Sequence, residues 1–196
     1  MDDRLKKQLD FALEIDKEKN IIRRTHLSGA GRRENDAEHA WHMAIMAYLL
    51  REYANEPVDI AKVMLMCLIH DIVEIDAGDT YAYDDEGKKT QKEREERAKE
   101  RIFGILPQDQ ADELMKLFEE FEERSCAEAR FARAMDNLQP LLLNDSNGGS
   151  DWKTQGVVAS KIYGRHRATK DGSEVLYGYS EKLIKEHIRK GNIIED

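Results

Sequence analysis

Eight residues near the middle of the chain, Cys67-Leu68-Ile69-His70-Asp71-Ile72-Val73-Glu74, narrow the choice of folds more than any other stretch. They put a histidine, an aspartate and a glutamate inside an apolar run. Burying ionisable groups among Leu, Ile, Met and Val is costly unless they are paired or hold an ion. A divalent metal compensates well, because it takes neutral imidazole and ionised carboxylate together. For the His-Asp doublet alone, a paired core histidine beside an exposed acid is the simpler account. The rest of the chain decides between them.

The chain has 196 residues, 40% hydrophobic and 36% charged. That length fits one domain with enough apolar side chain for a core. Three prolines and 12 glycines favour helix. The formal charge of −9 opposes a nucleic-acid polymer, whose phosphates would be repelled. A small anionic substrate stays open, because local arginines or a metal can reverse the field in one pocket. Cys67 and Cys126 make neither a disulfide framework nor a thiolate metal site, which points to a reducing compartment. The N-terminus leads into an amphipathic segment, and no apolar run is long enough to span a membrane. The expected location is cytoplasmic, with no membrane partner.

Residues 3–18 place Leu5, Leu9, Ala12, Leu13 and Asp16 on one stripe, with Phe11 and Ile15 beside it. This reads as a core-packing helix. Residues 20–35 read as a long basic loop, punctuated by Gly29 and Gly31 and holding Arg23, Arg24, Arg32 and Arg33. A solvated loop and an anion-binding lid explain it equally well, since the guanidinium fork matches phosphate. Asn35 or Asp36 caps a helix over 37–54, where His39 and His42 share a face. Pro57 opens a helix to about residue 75, ended by Gly78, on which His70, Asp71 and Glu74 project towards one site. Residues 80–91, around Tyr81, Tyr83, Asp84 and Asp85, read as a mobile surface loop. A charged helix spans 92–103, and Pro107 opens another to about residue 124. Ser125-Cys126-Ala127-Glu128 fits a capping box. The next helix carries Phe131, Met135, Leu138 and Leu142 on one face with Asp136 beside it, and Pro140 would kink or shorten it. A turn over 144–151 precedes two helices, about 154–168 and 173–190. No stretch alternates convincingly as a strand. The expectation is a single all-α domain over 1–196 of seven or eight helices, with a metal-site core at about 37–143.

His39, His70, Asp71 and Asp136 lie on three such helices, each in an apolar stripe. One inward polar residue is easily a satisfied core group. Four of ligand type on separate core helices are much harder to explain that way. Two imidazoles and two carboxylates suit Mn²⁺, Co²⁺, Ni²⁺, Fe²⁺ or Zn²⁺, with positions left for water.

The spacing of those four, with the flanking Arg33-Glu34-Asn35-Asp36-Ala37-Glu38-His39, Gly78-Asp79 and Ala134-Met135-Asp136-Asn137-Leu138, resembles the HD-domain metal-dependent phosphohydrolases. It looks like the branch that includes the bacterial 5′-deoxynucleotidases. The likeness runs over residues 5–143 and extends to 163–194. It implies an HD-domain helical bundle in which His39, His70, Asp71 and Asp136 hold one divalent ion, Mg²⁺ included. It further implies that Glu74 is the catalytic glutamate and that Asp79 contacts the sugar or assists the chemistry, with the same two positions helping to hold a second ion in some relatives. Arg24 matches an arginine that orients the substrate phosphate. Arg32, Arg33 and His42 are further candidates for phosphate contacts or support, with a structural role equally open. Thr25 stands where the characterised deoxynucleotidase has a tryptophan beside the sugar, so the ribose or deoxyribose preference stays open. The implied activity is metal-dependent hydrolysis of nucleoside 5′-monophosphates by a homodimer. Another small phosphate ester or nucleotide as substrate, or a non-catalytic metal-bound nucleotide-binding module, are the alternatives.

Overall fold

In chain order the computed structural model, which describes residues 2–84 and 86–196, begins with α1 (Asp3–Glu14) and a 3-10 turn over Ile15–Asn20. A hairpin of β1 (Ile22–His26) and β2 (Arg33–Asn35) leads into α2 (Asp36–Leu50), α3 (Ile60–Ile69) and the short α4 (Glu74–Ala77). Then come α5 (Lys88–Phe103), α6 (Gln108–Glu123), α7 (Ala127–Ser146), the short α8 (Ser150–Gln155), α9 (Ala159–Gly172) and α10 (Glu174–Arg189). Eight of these ten helices have ten residues or more, so the all-α bundle expected from the spacing is the fold observed.

The core is organised around α7. Phe131, Met135, Leu138 and Leu141 are buried along it, and α2, α3, α6, α9 and α10 pack against it. A second cluster joins Phe11 of α1, Ile72 and Val73 after α3, Ile102 and Phe103 of α5, and Phe118 of α6. Leu117 of α6 packs against both clusters. Close approach of α9 to α7 depends on Gly172, where a Cβ would lie 2.2 Å from the Arg130 carbonyl oxygen. This brings Arg165 of α9 against Asp136 of α7.

Several local expectations change. The basic stretch 20–35 is not an irregular loop. β1 and β2 pair antiparallel, with Ile22 opposite Asn35 and His26 opposite Arg33. The alternation is carried by arginines rather than apolar side chains, which hides it from a hydrophobic pattern. Gly29 and Ala30 take positive φ in the connecting turn, and the Asn147 side chain at the end of α7 accepts both their N–H groups. The stripe on α1 does not enter the core. Leu5, Leu9 and Leu13 are exposed, and Phe11 points inward instead, its ring 6.3 Å from that of Phe103. No capping box forms at 125–128: Cys126 is the N-cap and makes no side-chain cap bond, while Glu128 accepts the Asp59 N–H at 3.1 Å. Asp59, not a residue at Pro57, caps α3 by accepting from Ala61 and Lys62. Gly156, in a left-handed conformation, separates α8 from α9 where the spacing suggests one helix. Within the expected loop at 80–91, helix already begins at Lys88, and Tyr81 and Tyr83 are half-buried against a cleft. Asp85 lies outside the described residues.

Candidate metal centre

Three local features deliver the polar side chains to one place. The first is the start of α2. Asn35 accepts the Glu38 N–H and Glu38 accepts the Asn35 N–H, a reciprocal capping box. It fixes the helix so that His39, one turn in, is fully buried. The second is α7, which carries Asp136. The third is a break in the helix expected over 58–75. It ends at Ile69, and residues 70–76 continue through tighter bonds: Ile72 N–H to Ile69, Glu74 to Asp71, Ile75 to Ile72. The β-branched Ile69, Ile72 and Val73 weaken α-helix here. In such i→i+3 geometry, side chains three apart eclipse one another. Asp71 and Glu74 therefore stand on one side together.

His39, His70 and Asp136 each offer a donor atom within 4.8 Å of the others. His39 Nε2 is 3.3 Å from Asp136 Oδ1, and His70 Nε2 is 4.0 Å from the same oxygen. Asp71 Oδ2 lies 3.1 Å from His70 Nε2 and 4.0 Å from His39 Nε2. Both imidazoles are oriented from behind. His70 Nδ1 donates to the Cys67 carbonyl at 2.9 Å. Because a carbonyl only accepts, Nδ1 carries the hydrogen and Nε2 faces the cluster. His39 Nδ1 donates to Gln139 Oε1 at 2.8 Å. Gln139 cannot be turned round, since its Nε2 donates to the buried Glu34 carboxylate at 2.8 Å and to His42 Nδ1 at 3.1 Å. Asp136 is fixed from the other side by Arg165 at 3.2 Å and Arg133 at 3.0 Å.

Electrostatics follows this packing. Burial strips His39 of its charge and pushes its pKa down to about 4. Burial acts the same way on His70, but the Asp71 carboxylate outweighs it and raises His70 to about 9. Burial opposes ionisation of Asp136, yet Arg165, His39 and Arg133 together hold it well below the usual carboxylate range. The cluster thus demands positive charge between Asp71 and Asp136. His70 Nε2 is buried and close to Asp71 but makes no aligned hydrogen bond. Two imidazole nitrogens freed by bonds at their far sides, beside two ionised carboxylates, are a donor set that fits a divalent cation.

A second group of acids lies next to the first. Asp36, Asp71 and Glu74 offer oxygens within 4.8 Å of one another. Asp36 Oδ2 and Glu74 Oε2 are buried without a hydrogen-bond partner. Arg23 reaches in from β1, donating to Asp36 at 2.9 Å and Asp71 at 2.7 Å. Its charge does not suffice for all of them. Burial, with the charge of Asp71, pushes Asp36 up to about 7 and Glu74 well above the usual range. Burial also raises Glu34 to about 7, Glu18 to about 8, and Asp79 by a smaller margin.

The cluster opens into a cleft of about 600 Å³. Its walls include His70, Asp71, Glu74, Asp79, Asp136, Arg24 and Thr25, so the structure gathers most of the residues singled out from the sequence. His39 sits behind them. Arg33 is exposed on β2 and does not line the cleft, Arg32 pairs with Glu38, and His42 stands behind Gln139 rather than in the cleft. Sequence reasoning passed over Arg23, Glu34, Arg133, Gln139 and Arg165. Gln139 and Arg133 lie three residues either side of Asp136, which puts them on its face and was the available signal. Arg165 carries no such signal.

The sequence matches the family model of the HD domain over residues 15–176. A protein of Magnetospirillum magnetotacticum MS-1, described as a predicted metal-dependent phosphohydrolase, is 49% identical, with a TM-score of 0.92 over 97% of this chain and 95% of that one. A conserved hypothetical protein of Pyrococcus furiosus shares the fold at 21% identity and a TM-score of 0.66, over 92% of this chain and 99% of that one. Among curated proteins, the 5′-deoxynucleotidase HDDC2 of Homo sapiens is 32% identical over 111 residues, covering 57% of this chain and 53% of that one. The chain spans about half the length of the curated relatives it matches. The matched span holds both histidines and both aspartates of the cluster, and the chain belongs to the HD-domain family.

Proposed function

We propose that this chain is a metal-dependent phosphohydrolase that cleaves the phosphate ester of nucleoside 5′-monophosphates, deoxynucleotides among them. The observation that carries the reading is the pairing of a two-histidine, two-carboxylate cluster with a buried, unpartnered glutamate in an open cleft. The names of the relatives support the reaction class. His39, His70, Asp71 and Asp136 would hold one divalent ion (Mn²⁺, Co²⁺, Ni²⁺, Fe²⁺, Zn²⁺ or Mg²⁺), and Glu74 with Asp79 offers oxygens for a second. When bound, such an ion polarises a phosphoryl oxygen and lowers the pKa of a water molecule.

The protein's own groups then divide the remaining work. Glu74 Oε2 is buried beside Asp71 with no hydrogen-bond partner, which places its carboxylate to take a proton from the attacking water once a bound cation offsets the neighbouring acids. Arg24 lines the cleft mouth, with its guanidinium 5.5 Å from the Tyr81 ring centroid, and reaches for the phosphate. Thr25 and Asp79 stand beside it for the sugar. His42 acts from outside the cleft by holding Gln139. The P–O ester bond breaks, releasing phosphate and a nucleoside. Purified protein should release phosphate from a deoxynucleoside monophosphate with added Mn²⁺ or Co²⁺ and stop in EDTA. Tight metal binding with no turnover of any monophosphate would overturn the reading.

A homodimer belongs to the same proposal. Trp41, Ile45 and Leu49 recur every four residues on α2 and stay 63%, 41% and 63% exposed, an apolar face that a second copy would cover. Sedimentation should give twice the chain mass of 22.7 kDa; a monomer at micromolar concentration would remove the dimer from the proposal. No helix among the described residues is long and apolar enough to cross a membrane, and we place the activity in the cytoplasm.

A further inference from the structure

We infer that the end of the cleft away from the metal cluster reads the base, and that it selects nucleotides with an amino group at the base position farthest from the phosphate. The inference rests on the nucleotide reading above and deepens it. Asp136, Pro140 and Asn144 recur every four residues on α7, and all three line the cleft. Eight residues of helix carry Asn144 about 12 Å beyond Asp136. That is comparable with the reach from phosphorus to the outer base edge in a nucleoside monophosphate.

Asn144 is 6% exposed. Its Nδ2 donates to the Pro140 carbonyl at 2.8 Å. This fixes the amide, because turning it would set Oδ1 against another acceptor. Oδ1 is left buried with no hydrogen-bond partner. From α8, Gln155 also lines the cleft and has a second buried acceptor, Oε1, without a partner. A buried acceptor with nothing donating to it is costly, and a ligand N–H removes the cost. Tyr81 and Tyr83, which also line the cleft, form an edge-to-face pair with centroids 5.2 Å apart, an aromatic surface against which a base can lie. The outermost substituent of a base in this cleft is at C4 of a pyrimidine or C6 of a purine. It is amino in cytosine and adenine, and oxo in uracil, thymine, guanine and hypoxanthine. An amino group donates to Asn144 Oδ1. An oxo group brings lone pairs against it.

The test compares kcat/KM for two matched pairs, dCMP with dUMP and dAMP with dIMP, on the metal-loaded protein. The amino member should win by about tenfold or more, chiefly through KM, because a site built to bond one polar group rejects the analogue without it. In Asn144→Leu the two members of each pair should converge. Equal constants for the pairs in the unaltered protein overturn the inference even if Asn144→Leu fails to fold, and so does a preference that survives the substitution. If no monophosphate is hydrolysed, the nucleotide-hydrolase reading is what fails. Calorimetric binding of deoxycytidine against deoxyuridine to the same protein then decides the subsite, and equal affinity sinks it.

Discussion

Both ends of the cleft are built on α7, yet their side chains are held in different ways. At Asp136 each carboxylate oxygen has a charged or ring-nitrogen neighbour: Arg165 and His39 on one, Arg133 on the other. At Asn144 and Gln155, two turns along and on α8, the two side-chain amides are neutral, and each has an acceptor without a partner. The metal end is oriented by charged partners and leaves His70 Nε2, Asp36 Oδ2 and Glu74 Oε2 unpartnered for a cation. The far end is fixed in shape and leaves bonds for an occupant to make. Substitutions at the metal end should therefore abolish function through kcat or metal content, and those at the far end should act through KM.

Asp71→Ala gives the largest expected loss. Asp71 faces His70, His39 and Arg23 at once, so its removal should leave a protein that retains no metal by elemental analysis and shows no turnover. Full activity in this variant would break the assignment of the metal end. Glu74→Gln comes next. It keeps the shape and removes the proton acceptor, so the ion held by His39, His70, Asp71 and Asp136 should stay while kcat falls by about 10²- to 10⁴-fold. If metal is lost as well, Glu74 is a ligand and the proton acceptor lies elsewhere.

The metal end was legible because each of its residues violates an apolar helical pattern. A histidine in the stripe of α2, a His-Asp pair among Ile and Leu, and an aspartate between Met135 and Leu138 are anomalies that ask for a cause. The groups that orient them were not legible. Arg23 and Arg24 are adjacent, and only a strand sends one to the acids and the other to the cleft mouth, whereas the spacing shows a loop. Gln139 reads as an ordinary helix residue until its amide is seen between His39 and Glu34. The far end was harder still. Tyr81, Asn144 and Gln155 lie in polar segments where one more polar residue is no anomaly. The stripe of Leu5, Leu9 and Leu13 erred in the opposite direction, because periodicity shows that a helix has an apolar face but not what that face meets.

Gln139→Leu probes the support behind the metal end. It removes the acceptor that holds His39 Nδ1 and strands the Glu34 carboxylate in the core. Metal affinity should fall by about 10- to 100-fold with the residual kcat at saturating metal nearly kept, the range for a group that orients a ligand. Unchanged affinity in a competition titration would mean that packing alone orients His39.

The smallest effects separate two buried groups by the sign of their pH dependence, read as stability of the metal-free protein. Glu18, behind the metal end, is buried with Oε1 unpartnered, and burial followed by the charge of Asp71 raises it to about 8 from 4.5. The folded protein keeps this proton where the unfolded chain releases it, so the stabilising contribution is complete below about pH 4.5 and is lost as pH rises towards 8. His166, on the cleft wall, is buried with Nδ1 unpartnered, and burial lowers it from 6.5 to about 3. Here the unfolded chain takes up the proton first, so stability is complete above about 6.5 and is lost as pH falls towards 3. Urea midpoints should therefore cross. Glu18→Gln should gain on the unaltered protein at pH 8, and His166→Gln at pH 5, each by on the order of 2 kcal/mol. Parallel profiles for the two variants would mean that water or relaxation satisfies both groups.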